Sequence, residues 1–268
     1  MICARRVALG GAELDQANAA IVIRSVESGD GKENFSAVSI AAGSGQRVTS
    51  HHRDTMDVIV RFAIDIKKNN LAGRASALED ANAWAARAAD GAWLTVNYKT
   101  NRRAWVKLVQ APGEGSLWDF TKDFAITFRA YGVPYWQEAE ATSTASIEAG
   151  TSGSADLTVA GSAETVADVV LTNETSTTVN TCSVSVDTHT MSFSDLGLAE
   201  DESLVIDHAD DGTLRIRILD ANEEYRSAMD KRVAGSADDL FTRTGMVSAG
   251  FDAATSCSMT VSCKGRFL

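Results

Sequence analysis

All five tryptophans of this 268-residue chain stand at or before position 136, at 84, 93, 105, 118 and 136. The charge breaks at the same point. Up to Trp136 there are 17 Lys and Arg against 14 Asp and Glu, a net of +3; the remaining 8 basic and 22 acidic residues, out of 25 and 36, give −14. A chain folding around one core has no reason to sort its bulkiest side chains and its charge in the same way. Two shifts at one place mark a domain boundary, and the length suffices for two domains of ordinary size. The expected domains are 1–138 and 139–268. The stretch GVPYW (132–136) forms the junction. Pro134 fixes the exit direction of the chain, while Tyr135 and Trp136 can pin it to an aromatic core.

Composition excludes several classes. A net charge of −11 argues against a nucleic-acid binder. No apolar run approaches the ~18 residues a membrane-spanning helix needs, so no membrane insertion is expected. The start, MICARRVALGGAELD, has two arginines but no apolar region after them. It reads as no secretory signal, which points to folding in a cytoplasm. The four cysteines, Cys3, Cys182, Cys257 and Cys263, form no CxxC pair. Cys257 and Cys263 lie on one strand, about 20 Å apart if extended and beyond disulfide reach. Buried free thiols are the expectation.

The first half reads as α+β. AAIVIRSVE (19–27) and FSAVSIA (35–41) are β-branched strands. AGSGQRVTSHHRDT (42–55) is glycine-rich, basic and too polar for a core, so it reads as an exposed loop or hairpin. MDVIVRFAIDI (56–66) alternates, with Val58, Val60, Phe62, Ile64 and Ile66 on one face. A helix follows, capped by Asn69 or Asn70 and stopped by Gly91. Its apolar stripe is Leu71, Ala75, Leu78, Ala81, Ala85 and Ala88, with Trp84 at its flank. AWLTVNY (92–98) and RAWVKLVQ (103–110) make a hairpin. FTKDFAITFRAY (120–131) is a further strand, with Phe120, Phe124, Ile126 and Phe128 inward. The expected arrangement is an antiparallel sheet with one helix packed on it.

The second half reads as a β-sandwich. Residues 137–154 are small and polar, as linkers and edges are. After them come short strands separated by turns: ADLTVA, TVADVVLTN, CSVSV, TMSF, SLVIDH, TLRIRIL, GMVSAG and ATSCSMTVSCKGRF. EEYRSAMDKRV adds one helical turn.

Chemical motifs are sparse. IDHADDGT (206–213) offers Asp207, Asp210 and Asp211 as oxygen ligands, but it lacks the spacing and bidentate glutamate of a calcium loop. Asp-Gly between two strands reads first as a hairpin turn. Arg47, His51, His52 and Arg53 could meet phosphate or nucleic acid, or, with Gln46, could form an interface loop. No GxSxG, GxxxxGK[ST] or GxGxxG occurs. No catalytic residue, metal or cofactor is assigned, and the chain is expected not to be an enzyme. A polysaccharide-acting enzyme would need two carboxylates across a cleft. A glycan-binding module would need aromatic platforms, and Tyr225 is the only tyrosine of the second half.

A basic polar loop leads into VIVRFAIDI, then a helix carrying LEDANAW, a hairpin, FAITFRAYGVPYW, and an acidic sandwich with LAEDESLVIDHADDGTL and MTVSCKGRFL. In this order the whole chain resembles the distal tail proteins of tailed phages. Pro134, Tyr135 and Trp136 match the family's Pro-Tyr-Trp-like clasp. The resemblance implies a mostly β structure with one α-helix, a tail-tube-like first domain and a galectin-like β-sandwich. It implies a structural virion component at the distal end of the tail, assembled in the host cytoplasm. The first domains would form a homohexameric ring between the tail tube protein and the tail hub, with tape measure and receptor-binding proteins as further neighbours. Residues 42–55, with Gln46, Arg47, His51, His52 and Arg53, would reach the adjacent subunit. A glycan-binding accessory module of a tail tip or baseplate is the alternative.

Overall fold

A computed structural model describes residues 5–29, 33–39, 46–66, 70–113 and 123–268, with backbone alone for 33–39 and 46–52. The chain divides into two compact units, Met1–Trp136 and Gln137–Leu268.

The first unit contains β1 (Val7–Leu9), β2 (Ala12–Glu13), α1 (Leu14–Ala17), β3 (Ile21–Ser28), β4 (Glu33–Ser39), β5 (Gln46–Arg53), β6 (Met56–Ile64), α2 (Leu71–Ala86), β7 (Ala92–Val96), β8 (Arg102–Gln110) and β9 (Phe124–Ala130). Seven strands of this unit lie side by side in the order β2-β1-β7-β8-β9-β6-β3, while among the described residues β4 and β5 pair with each other alone. The pairings β1–β7, β7–β8, β8–β9, β9–β6 and β6–β3 are antiparallel. Alternation decides which face is inward. Met56, Val58, Val60, Phe62 and Ile64 of β6 are buried, as are Phe124, Ile126 and Phe128 of β9. The Phe62 and Phe124 rings stack at 5.5 Å. Ile66 lies beyond the strand end and is only part-buried, and Phe120 falls outside the described residues.

Asn70 caps α2, its side chain accepting from Gly73 N at 2.9 Å. The buried stripe is rotated from the expected one. Leu78, Ala81, Ala85 and Ala88 are buried, but so are Arg74, Ala77 and Trp84, while Leu71 and Ala75 are part-exposed. Arg74 turns inward because its guanidinium lies 5.3 Å from the Phe124 ring, an attraction available to an arginine over an aromatic face. Trp84 meets Phe128 edge-on at 5.8 Å and donates to Ala12 O at 2.7 Å. The helix ends at Ala86 with Arg87 as its cap, before Gly91. Gly91 instead takes φ +118° against Trp105, where a Cβ would come within 2.7 Å of the indole.

The strand β10 (Trp136–Glu138) carries the chain into the second unit. There follow β11 (Ser143–Val159), β12 (Thr165–Asn173), β13 (Cys182–Val186), β14 (His189–Phe193), β15 (Ser203–His208), β16 (Leu214–Leu219), β17 (Tyr225–Ser227), β18 (Phe241–Thr242), β19 (Gly245–Cys263) and β20 (Arg266–Phe267). The region expected to be linker up to residue 154 is largely strand. From Ser143 onward it pairs with β19 almost to the end, with irregularities around Gly150. The two expected strands GMVSAG and ATSCSMTVSCKGRF are one, β19. Every second residue of β19 from Val247 to Val261 is buried except Thr255.

The far edge of β19 is shared. Residues Ala249–Ala253 pair with β13, and Cys257–Cys263 pair with β12. The sheet thus forks into a β14-β13 leaf and a β12-β15-β16-β17 leaf. Both leaves supply one core that includes Val184, Met191, Phe193, Leu171, Leu204, Ile216 and Phe251. This is the sandwich. Cys182, Cys257 and Cys263 are free and buried within it, and burial pushes the Cys182 and Cys263 thiols up to about 12.

Candidate assembly surfaces

Part of the polar stretch expected as a loop or hairpin is strand. Residues 46–53 are β5, antiparallel to β4 from Glu33↔Arg53 to Ser39↔Gln46, with one irregularity at Ser36/Ala37. Residues 42–45 lie outside the described residues. Gln46, Arg47, His51 and His52 therefore sit on one strand of a hairpin. Among the described residues this strand pair has no further sheet neighbour, and such a pair is marginal alone in water, which makes it an element suited to a partner.

Arg53 stands at the base of that hairpin, and its guanidinium lies 4.9 Å over the Tyr135 ring. This brings one loop candidate and one clasp residue together. Pro134 is buried, and Trp136 is fully buried with Lys99 Nζ 4.9 Å over its ring. Tyr135 N donates to Val133 O at 2.8 Å, closing a three-residue turn at the clasp.

A second surface lies on the β7–β8 hairpin. Tryptophans on strands suggest core, and Trp84 and Trp136 are core. Trp93 and Trp105 instead lie on the face of β7 and β8 opposite α2, since Ala92, Leu94 and Val96 are the buried positions of β7. The two indoles face each other across the hairpin, 5.2 Å apart and edge-on. Arg103 stacks over Trp93 at 3.8 Å. On the same face Lys107 sits opposite Arg129, a like-charge pairing that costs stability in isolation. Arg129 is neutralised by Asp57, with contacts of 2.5 and 2.9 Å. The Arg129 guanidinium holds the Asp57 carboxyl below the usual aspartate range.

In the second unit, IDHADDGT is the hairpin turn between β15 and β16. Gly212 takes φ +85°, Ala209 N donates to Thr213 O at 2.9 Å and Gly212 N to Ala209 O at 2.9 Å. Asp207 is occupied by Arg215 at 3.1 and 2.6 Å and by Arg217 at 2.7 Å. The carboxylate that would have begun a calcium loop is thus an ion-pair partner. Among the described residues no group of three or more His, Cys, Asp and Glu is placed to hold a metal. Tyr225 is 53% exposed, but the Arg217 guanidinium lies 4.0 Å over its ring, so one face of this lone platform is taken. His208 turns inward between Asp168 and Asp239. The partners are 40 and 31 residues away, beyond any local sequence signal.

The sequence matches no protein-family model, and no curated protein matches it. Solved structures do match. The chain is similar to the SPP1 Dit protein, a paradigm of the hub adsorption apparatus in phages infecting Gram-positive hosts. The TM-score is 0.67 with 12% identity, covering 98% of this chain and 99% of that one. It is also similar to a chain of the phage P2 baseplate in its activated conformation, in a calcium form and a strontium form. These have TM-scores of 0.51 and 0.51 and identities of 9% and 10%; they cover 97% of this chain in both cases, and 98% and 97% of the other. Over nearly its whole length, the chain has the fold of these phage hub and baseplate proteins, and its resemblance to distal tail proteins is shown at the level of fold.

Proposed function

We propose that the chain is a distal tail protein, a structural component of a phage virion that forms a homohexameric ring at the end of the tail. The observation that carries this reading is the match of both units, in order, to SPP1 Dit across 98% of the chain. In this reading the first unit builds the ring. The β4–β5 hairpin, with Gln46, Arg47, His51, His52 and Arg53, reaches the adjacent subunit, and the clasp at Pro134, Tyr135 and Trp136 ends the ring-forming domain. The acidic sandwich carries the outward face. One side of the ring meets the tail tube protein and the other the hub, with tape measure and receptor-binding proteins beyond. Heterologous contacts that close are what a ring requires. A pair of strands outside the main sheet and an aromatic, basic face on β7 and β8 of that sheet are features an assembly can use.

The role is structural rather than catalytic. Ion pairs such as Asp207 with Arg215 and Arg217, and Glu202 with Arg226, bind the carboxylates to their neighbours within the fold. The test is to mix the purified chain, carrying a gold or fluorescent label, with tail tubes assembled from the cognate tube protein. Label at one end of each tube is the expected result. Label along the sides, or none, contradicts the proposal.

A further inference from the structure

The strand β14 is the last in its leaf of the sandwich, yet its outer edge is not open. The chain running from Ala228 to Leu240 lies along it. Ser194 N donates to Lys231 O at 3.0 Å, Val233 N to Ser192 O at 2.8 Å and Ala237 N to Thr190 O at 2.9 Å. Phe193 and Arg232 form a bridge. This run covers backbone groups that an edge strand otherwise presents to any passing chain.

The run has little of its own to hold it down. Met229, Asp230, Val233, Ala234, Gly235 and Asp238 are exposed, and the residues between are only part-buried. Its anchors are its two ends. Ala228 is fully buried and donates its N–H to Ile216 O at 2.9 Å. Leu240 is fully buried, and its O accepts from Ala167 N at 3.0 Å.

Beside Leu240 stands Asp239, whose Oδ1 accepts from Leu240 N at 2.7 Å. The same carboxylate meets His208 Nε2 at 3.0 and 3.2 Å. His208 Nδ1 meets Asp168 Oδ1 at 2.9 Å. The imidazole is thus held between a carboxylate of β12 and one of the run. A carboxylate only accepts, so both ring nitrogens must carry hydrogen for both bonds to exist. Only the imidazolium does so. The neutral ring satisfies one carboxylate and turns a lone pair on the other.

We propose that residues 228–240 form a detachable strap over the β14 edge, latched by the Asp168–His208–Asp239 bracket, so that loss of the second imidazole proton releases the strap and uncovers the edge. The strap stands apart from ring formation and holds whether or not the chain assembles.

The charges around the ring support this. Burial pulls the His208 pKa down, but the hydrogen bonds and charges of Asp168 and Asp239 outweigh it and hold the group at about 9. From β19 the residue opposite Asp168 is Ser262, which does not titrate in this range; the next residue, Cys263, has its thiol pushed up to about 12 by burial and by the Asp168 carboxylate, so it stays neutral. Opposite His208 on β16 stands Leu214, which does not titrate. The folded-state pKa lies above the ordinary histidine value of 6.5. The latch is therefore at full strength below that ordinary value and is lost as pH rises through about 9.

Lys231 and Arg232 place tryptic sites inside the strap. The test is limited trypsin digestion of the full chain, with cleavage after these two residues followed by mass spectrometry and normalised to an unstructured peptide at each pH. In the wild-type protein, normalised cleavage there should rise about tenfold or more between about pH 7.5 and pH 10, as one charge-assisted bond is lost and the open population grows. His208→Gln should be cut at the higher rate already at neutral pH, with no further rise, while cleavage at other sites is unchanged. Asp239→Asn, which leaves His208 in place, should behave likewise. A wild-type rate flat across this range, or a His208→Gln strap cut as slowly as the wild type, overturns the proposal. If His208→Gln is cut everywhere, the wild-type pH series and Asp239→Asn decide.

Discussion

Replacing Trp84 by alanine should cost the first unit about 3–5 kcal/mol, the range for truncating a buried tryptophan. Trp84 is 2% exposed, meets Phe128 edge-on and donates to Ala12 O. The truncation removes the largest side chain by which α2 packs on β9, and it leaves Ala12 O without that donor. Trp84→Phe keeps most of the volume and should lose about 1 kcal/mol through the hydrogen bond, plus a smaller packing term. The readout is unfolding in denaturant followed by tryptophan fluorescence. Because every tryptophan lies at or before Trp136, this signal reports the first unit alone. A loss below about 1 kcal/mol for Trp84→Ala would mean that the helix is not fixed through this residue.

The second large effect falls on assembly rather than folding. Under the proposed ring reading, excising the hairpin, residues 33–52, and joining its ends through a short Gly-Ser link should leave a folded protein that does not form rings where the full chain does. The excision must take both strands. Removing Ser44 to Arg53 alone would strip β5 from β4 along the whole of their shared ladder and leave an unpaired edge prone to aggregation. Arg53 should stay, because its guanidinium lies over Tyr135 at the clasp. The circular-dichroism spectrum and the fluorescence unfolding midpoint should change little, since among the described residues β4 and β5 pair only with each other. Sedimentation should then show single chains. Rings from the excised protein of the same size as those from the full chain would remove the hairpin from the account.

How far the fold could be read in advance follows from where side chains announce their neighbours. Strand β6 was legible because Val58, Val60, Phe62 and Ile64 alternate with Asp57 and Arg61, and burial follows that pattern. Strand β11 was not. Its Ser, Thr, Ala and Gly residues give no contrast between faces, and its pairing is fixed by β19, about a hundred residues later. The α2 stripe slipped because hydropathy places arginine outside, whereas Arg74 gains the Phe124 ring by turning in.

The candidate surfaces divide in the same way. A polar, glycine-rich stretch at 42–55 signals an exposed element, and strand pairing of Gln46–Arg53 refines this to a hairpin. Indoles on strands usually pack in the core, but the positions of Trp93 and Trp105 beside the buried Leu94 and Ala104 fix them to the opposite face. Asp168, His208 and Asp239 carried no joint signal, since only the sandwich brings β12, β15 and the strap together.

The central claim is that the chain closes into a ring of six. The most direct measurement is the mass of the particles formed by the full chain at high protein concentration, with and without the tube protein. The account predicts a closed species near six times 28.4 kDa, about 170 kDa, seen end-on as a six-fold ring. A protein that stays at the mass of one chain in both conditions, and is missing from purified virions, contradicts it.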